Sequence, residues 1–278
     1  MRIAFLAAAL LAAPLALSAP AAPAVAQSAD AALAAALAHE RRAEDRARDD
    51  QRHPAETLAF FQVRPGMTVV DYVPDQGWYA RIIAPYLGPN GRYIAMGPDV
   101  TGMAEGQRNY WGGQADKLRN NSANWNLGPS AALSGFNTDA VPAELEGQVD
   151  RVLIFRELHN IIRNDWLHDD MLAIRRLLKP GGMVGIEQHR ADPDAPYAMT
   201  DGSKGYLREK DVVALFDLYG FDLVAESEVN ANPKDPTDWP QGVWMLPPNF
   251  RAATDATRPR LTAIGESDRM TMLFRKRD

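Results

Sequence analysis

The chain has 278 residues, 46% of them hydrophobic, with 20 Gly, 20 Pro, no Cys, and 30 basic against 36 acidic side chains for a net charge of -6. The apolar content supplies a substantial core, the missing cysteine excludes disulfides, thiolate nucleophiles and Cys-ligated zinc, and the acidic balance argues against a general nucleic-acid binder. The length suits one α/β unit of about 200 to 250 residues with terminal extensions.

Met1-Arg2, the apolar run 3–17 and Ala24-Val25-Ala26 before Gln27 have the charged start, hydrophobic centre and small-residue cleavage pattern of a secretory signal. The run is short and Ala-rich for a membrane span, an uncleaved anchor being the alternative. Residues 1–26 are therefore expected to be a signal peptide, with no stable membrane span after its cleavage. The remainder keeps 29 of the 30 basic and all 36 acidic residues. An exported chain without cysteine suits a bacterial periplasm or exterior, where disulfides are permitted but not required.

Residues 27–53 read as a helical extension. Ala31, Leu33, Ala34 and Leu37 precede the charged run Glu40-Arg41-Arg42-Ala43-Glu44-Asp45-Arg46, so a solvated, weakly packed helix is expected. Pro54 suits a first helical turn, with a short helix over 55–61 and the main domain over 54–278.

From residue 67 the pattern becomes strand, loop, helix, repeated. Strands are predicted over 67–73 and 92–96, with a helix over 78–87 between them, stopped by Gly88-Pro89-Asn90-Gly91. One helix is predicted near 104–118, followed by irregular chain or a short third strand up to 136. A buried strand over 149–155, a helix over 166–178, a strand over 183–187, a helix over 209–219 and strands over 222–229 and 270–276 complete the order. The segment 230–248 holds five prolines with Trp239 and Trp244 and reads as an ordered flap. This alternation implies a doubly wound, mostly parallel Rossmann-like sheet with helices on both faces.

The first loop, Asp71-Tyr72-Val73-Pro74-Asp75-Gln76-Gly77-Trp78, follows a β-branched strand and precedes an amphipathic helix, as in nucleotide-binding α/β domains. Together with the element order and the Leu178-Lys179-Pro180-Gly181-Gly182 turn, it makes the chain resemble class I S-adenosylmethionine-dependent methyltransferases over roughly residues 54–276. Leu158-His159-Asn160, His189-Arg190, Asn232-Pro233-Lys234-Asp235 and Gly265-Glu266-Ser267-Asp268-Arg269-Met270 also resemble an exported bacterial group of methyltransferase-like proteins.

The resemblance implies S-adenosylmethionine as cofactor and methyl transfer to a small-molecule acceptor. It places the acidic-x-Gly-x-Gly-x-Gly pattern on Asp71, Val73, Asp75 and Gly77, of which Asp71 and Gly77 match, with Pro74 and Trp78 beside them. A carboxylate at 75 repels the cofactor's own carboxylate or pairs with its amino group or sulfonium. Gly97 stands at the family's ribose-binding acid, with Asp99 two residues on as a substitute. Arg156 is positioned to clamp the cofactor carboxylate or an anionic substrate, or to pair with Glu157, Asp150 or Glu187; Arg190 carries the same alternatives.

Ligands of open α/β sheets sit beyond the carboxyl ends of the strands, which gathers His159, Glu187 and His189 at one cleft, with Arg52 and His53 approaching from the N-terminal side. His159 and His189 are candidate proton acceptors, with Glu187 on the strand face of His189; the alternative is histidines that only hold loops. A metal bound by His159, His189 and Glu187 is a weaker reading, since their spacing matches no ligand motif, and no metal is expected. There is no Gly-x-Ser-x-Gly elbow or His-Glu-x-x-His helix to support a hydrolase. The contrasting reading is a non-catalytic, exported binding module on a degenerate methyltransferase fold.

Overall fold

The computed structural model describes the backbone of residues 24–278 and side chains from residue 30 onward. Residues 1–23 of the expected signal peptide lie outside the described residues. Seven strands form one sheet: β1 (Thr68–Tyr72), β2 (Arg92–Gly97), β3 (Ala132–Asn137), β4 (Val149–Phe155), β5 (Leu178–His189), β6 (Phe221–Ser227) and β7 (Arg269–Lys276). Their order is β3-β2-β1-β4-β5-β7-β6, parallel except for β7, which runs antiparallel to both neighbours.

The central strands are covered on both faces, which is why they read as continuous apolar runs rather than as alternations. Val70, Tyr72, Ile94, Met96, Val152 and Ile154 face the helices Leu167–Leu177 and Glu209–Leu218. On the other face Val69, Tyr93, Leu153, Phe155 and Leu273 meet the helices Ala80–Leu87 and Pro54–Phe60. The strand order reverses between β1 and β4, so the ligand crevice of such a sheet opens beyond their carboxyl ends.

Three local features differ from the sequence reading. The helix expected near 104–118 is two, Glu105–Trp111 and Gln114–Ser122, because Gly113 adopts φ +65° between them. The twelve-residue β5 absorbs the Lys179-Pro180-Gly181-Gly182 turn, with a register shift against β4 between Val149 and Arg151.

The extension departs most: after the helix Ala24–Ala38 come two 3-10 turns and the short helix Asp49–Arg52, and their charges are not left in water. Arg42 is fully buried, bonded to Asp49 at 2.6 and 3.0 Å and to the Leu37 carbonyl, with its guanidinium 5.0 Å from the Trp78 ring. Asp45 takes both ends of Arg81 at 2.6 Å, and Arg41 reaches the carbonyls of Trp125 and Asn126. Arginine tolerates such burial because its fork meets acceptors while its flat face lies on an aromatic ring.

The flap is ordered: Trp239, Val243 and Leu246 build a small core of their own with Ala191, Tyr206 and Leu261. No helix among the described residues is long and apolar enough to cross a membrane.

Candidate functional site

The turn after β1 carries left-handed backbone at alternate residues: Val73 at φ +47°, Asp75 at +49° and Gly77 at +76°. Its ends are fixed by the Val73 N–H on the Met96 carbonyl, 2.7 Å, and the Gly77 N–H on the Pro74 carbonyl, 2.8 Å. For a β-branched residue this conformation is a genuine outlier, costing about 1–3 kcal/mol. The backbone that favours glycine is thus present at two positions that carry other residues. Gly77 itself cannot change, since a Cβ there would lie 2.3 Å from the Trp125 ring.

Asp71 is buried on the extension side of the sheet and accepts the Tyr93 hydroxyl at 2.6 Å. Burial pushes its carboxyl up to about 7, the Tyr93 bond and Arg156 opposing. The folded state therefore holds this proton over a range where the unfolded chain has lost it, so stability falls as pH rises from about 4 to 7 and levels off above. Asp71→Asn should gain on the parent across that interval. Melting temperatures of both chains measured from pH 4 to 8 check this; parallel curves would refute it.

Pro74 is half-buried in the turn, and the Asp75 side chain is exposed, with its carbonyl held by Asn121 Nδ2 at 3.1 Å. Trp78 packs on the extension, its indole N–H on the Asp45 carbonyl at 3.3 Å and its ring between Arg42 and Arg52. Asp99 caps its own turn, accepting the Thr101 N–H at 2.6 Å. A Cβ at Gly97 would meet Asn137 Nδ2 at 2.6 Å and Gln114 Cγ at 2.8 Å, so β2 has no room for a side chain where the resemblance would place a ribose-binding acid. Asn137 bonds the carbonyls of Pro98 and Trp111, and Trp111 reaches across to Trp166, ring centroids 5.0 Å apart. Sequence reasoning missed this closure; the Trp111-Gly112-Gly113 break was its only trace.

The two histidines meet. Their ring centroids are 5.6 Å apart, and flap residue Trp244 stands edge-on to His159 at 5.8 Å. The Gln188 amide N–H₂ is spent on the Gly205 carbonyl at 2.7 Å, which turns its oxygen toward His159 Nδ1 at 3.5 Å. That arrangement favours the proton on Nδ1 and a lone pair on Nε2. His189 Nδ1 is 2.6 Å from Ser267 Oγ. Burial, then the charge of Arg163, pulls His159 down to about 3, and burial, then His159 and three arginines, holds His189 well below its ordinary value. Both are neutral at physiological pH, but His159 is too weak a base to take a proton efficiently.

Glu187 does not join the imidazoles. Its fully buried carboxylate receives Tyr79 Oη, Arg156 and Arg269, each at 2.9 Å. Burial alone would raise it; Arg156, Arg269 and Arg52 together overcome burial and hold it below the usual range. Among the described residues no three His, Asp or Glu side chains are arranged to hold a metal ion. Arg190 is an anchor, bidentate to Asp268 at 2.8 and 3.0 Å and bonded to Glu209 and Glu228.

The group best matched to proton transfer is Glu157, immediately after β4, which sequence reasoning treated only as a partner for Arg156. Burial pushes it up to about 7, opposed by the Asn160 amide at 2.6 Å and by Arg156 and reinforced by the charge of Asp75. It is half-buried, close enough to the β1 turn to feel the charge of Asp75.

The fold matches solved structures. One is the [4+2]-cyclase SpnF, 14% identical, with a TM-score of 0.53 over 81% of this chain and 80% of that one. The fold is that of class I methyltransferases. A proposed sarcosine dimethylglycine methyltransferase from Galdieria sulphuraria, 12% identical, aligns with a TM-score of 0.50 over 83% of this chain and 86% of its own. The 1,6-didemethyltoxoflavin-N1-methyltransferase of Burkholderia thailandensis, solved with S-adenosylhomocysteine, spans 94% of both chains at 16% identity and a TM-score of 0.44. No protein-family model and no curated protein matches the sequence.

Proposed function

We propose that this chain is an exported bacterial protein that binds S-adenosylmethionine beyond β1 and transfers its methyl group to a small acceptor. The observation that carries this reading is the turn at Val73, Asp75 and Gly77, whose left-handed backbone persists although two of its residues are not glycine. Strain of about 1–3 kcal/mol persists only where the surroundings demand that shape, and such outliers cluster at ligand sites. S-adenosylmethionine supplies, when bound, an activated methyl group on a sulfonium.

The chain supplies the rest. The backbone of residues 73–77 with Pro74 and Gly77 cradles the cofactor, and Asp99 stands for the missing acid at 97. Glu157, near 7 and half-buried, takes a proton from the acceptor near neutral pH. The neutral imidazoles of His159 and His189 orient that acceptor, while Trp244 shields them from water. The resemblance to the exported group and the N-terminal pattern support export; N-terminal sequencing of the periplasmic protein should begin at Gln27.

Calorimetry of the mature chain with S-adenosylmethionine and S-adenosylhomocysteine tests the reading, and no heat or thermal stabilisation at millimolar ligand would sink it. Asp75→Gly should tighten binding severalfold, because it removes a carboxylate from beside Glu157 and the cofactor's own carboxylate. A large loss of affinity would instead show that the Asp75 side chain holds the cofactor.

A further inference from the structure

Beyond β5 the buried cations outnumber their partners. Arg52 and Arg269 are buried, while Arg48 and Arg156 keep side chains 29% and 20% exposed, so the group touches solvent at those two. Among the described residues two carboxylates are ion-paired with these four guanidinium groups. Glu187 is shared by Arg156 and Arg269, and Glu266 by Arg48 at 2.7 Å, Arg52 at 3.1 Å and Arg269 at 3.2 Å. Asp71 and Glu157 lie within Coulomb reach of Arg156 but make no ion pair with it, and both carboxyls are raised toward neutrality, to about 7.

Two guanidinium donors of this group are also unpaired. Among the described residues Arg48 Nη2 and Arg269 Nε are buried without a hydrogen-bond partner. A buried donor left unpaired costs about 1–3 kcal/mol, and an uncompensated buried charge costs more. The Arg52 guanidinium stacks 4.7 Å from the Trp78 ring; burial, then the charge of Arg156, pulls it down to about 9. The cluster adjoins the histidines, for Ser267 between Glu266 and Arg269 is the residue bonded to His189 Nδ1.

We propose that Arg48, Arg52, Arg156 and Arg269 form a subsite for the anionic group of the acceptor, a carboxylate or a phosphate, with its reacting end toward His189 and His159. Unpaired guanidinium donors, a surplus of positive charge and solvent contact at Arg48 and Arg156 are what an oxyanion requires. Arg48 and Arg52 belong to the extension, so residues 27–53 complete the acceptor site rather than merely precede the domain. A seated anion also offsets the positive field on the imidazoles, raising His159 from about 3 and making it a better partner for a hydroxyl. The acceptor assignment rests on the proposed methyl transfer; the anion subsite does not.

The test uses the mature full chain, with sodium phosphate and sodium malonate as probes against sodium chloride at matched ionic strength, read by thermal shift and calorimetry. Saturable millimolar binding of either oxyanion is expected, weakened at least tenfold in Arg156→Gln and in Arg48→Gln. Equal stabilisation by chloride, or affinity unchanged in both variants, overturns the subsite. Should Arg156→Gln fail to fold, Arg48→Gln decides, because that side chain is the more exposed. Malonate binding without phosphate binding points to a carboxylate, and the converse to a phosphate; both support the subsite. S-adenosylhomocysteine titrated into malonate-saturated protein should bind undiminished, whereas competition would assign the arginines to the cofactor's carboxylate and overturn the acceptor role. Oxyanion binding with no S-adenosylhomocysteine binding leaves the subsite standing and removes the methyl-transfer reading.

Discussion

Glu187→Gln should cost about 3–5 kcal/mol of unfolding free energy, a large part of the 5–15 kcal/mol that holds a typical domain together. The shape of the side chain is unchanged, but the fully buried carboxylate shared by Arg156 and Arg269 is gone. Arg269, 2% exposed, has no solvent to replace it, Arg156 keeps no ion-paired carboxylate among the described residues, and Glu266 alone remains for Arg48, Arg52 and Arg269. Urea unfolding checks this, and a loss under about 1 kcal/mol would show that the network relaxes around the defect.

Adding Arg269→Met should recover part of the loss, since removing both partners of a buried pair is gentler than removing one. The same network sets the acid limit. Glu266 is held at about 2, burial being overcome by Arg52, Arg269 and Arg48. Its contribution is complete above the ordinary glutamate range and is lost as pH falls through the folded value. If the arginines also bind an oxyanion, phosphate should stabilise Glu187→Gln more than the parent.

The sheet was legible in the sequence because its buried strands carry apolar runs and its turns carry Gly and Pro. The runs at 149–155 and 270–276, the Gly88-Pro89-Asn90-Gly91 stop and the flap prolines each act locally, so one sequence displays them. What could not be read was long-range pairing. Arg48 and Arg52 meet Glu266 across more than 200 positions of chain, and nothing at 40–52 distinguishes charges that dock from charges that stay in water. The environment of Asp71 was hidden likewise, because its partner Tyr93 comes from the neighbouring strand.

The β1 turn shows the limit of motif reading. Counting glycines at 73, 75 and 77 finds one of three, yet the backbone keeps the glycine conformation at all three. A glycine motif is an indirect record of backbone shape, and packing of the turn against β2 can impose that shape on Val73 at a cost in strain. Shape alone does not name a reaction, since the same fold serves a [4+2]-cyclase. The titratable groups beside the turn, Glu157 among them, sit where burial and neighbouring charges act on them together, which counting glycines in a motif cannot register.

A chain beginning at Pro54 should melt more than about 10 °C below one beginning at Gln27, or fail to fold. Removing the extension strips Leu33 from the core against the helix Ala80–Leu87, worth about 1.5–3 kcal/mol. It also takes from Glu266 two of its three guanidinium partners, Arg48 and Arg52, and from Arg269 the Gln51 carbonyl, at a further cost of about 3–5 kcal/mol for the weakened buried carboxylate. Trp78 loses both guanidinium faces, and Arg81 loses Asp45. For a chain of this size each kcal/mol is worth roughly 2–4 °C, so these losses together exceed 10 °C. A synthetic peptide of residues 27–53 added in trans should raise the melting temperature saturably. A truncated chain that melts within about 2 °C of the parent would show that the extension's contacts contribute little to folding.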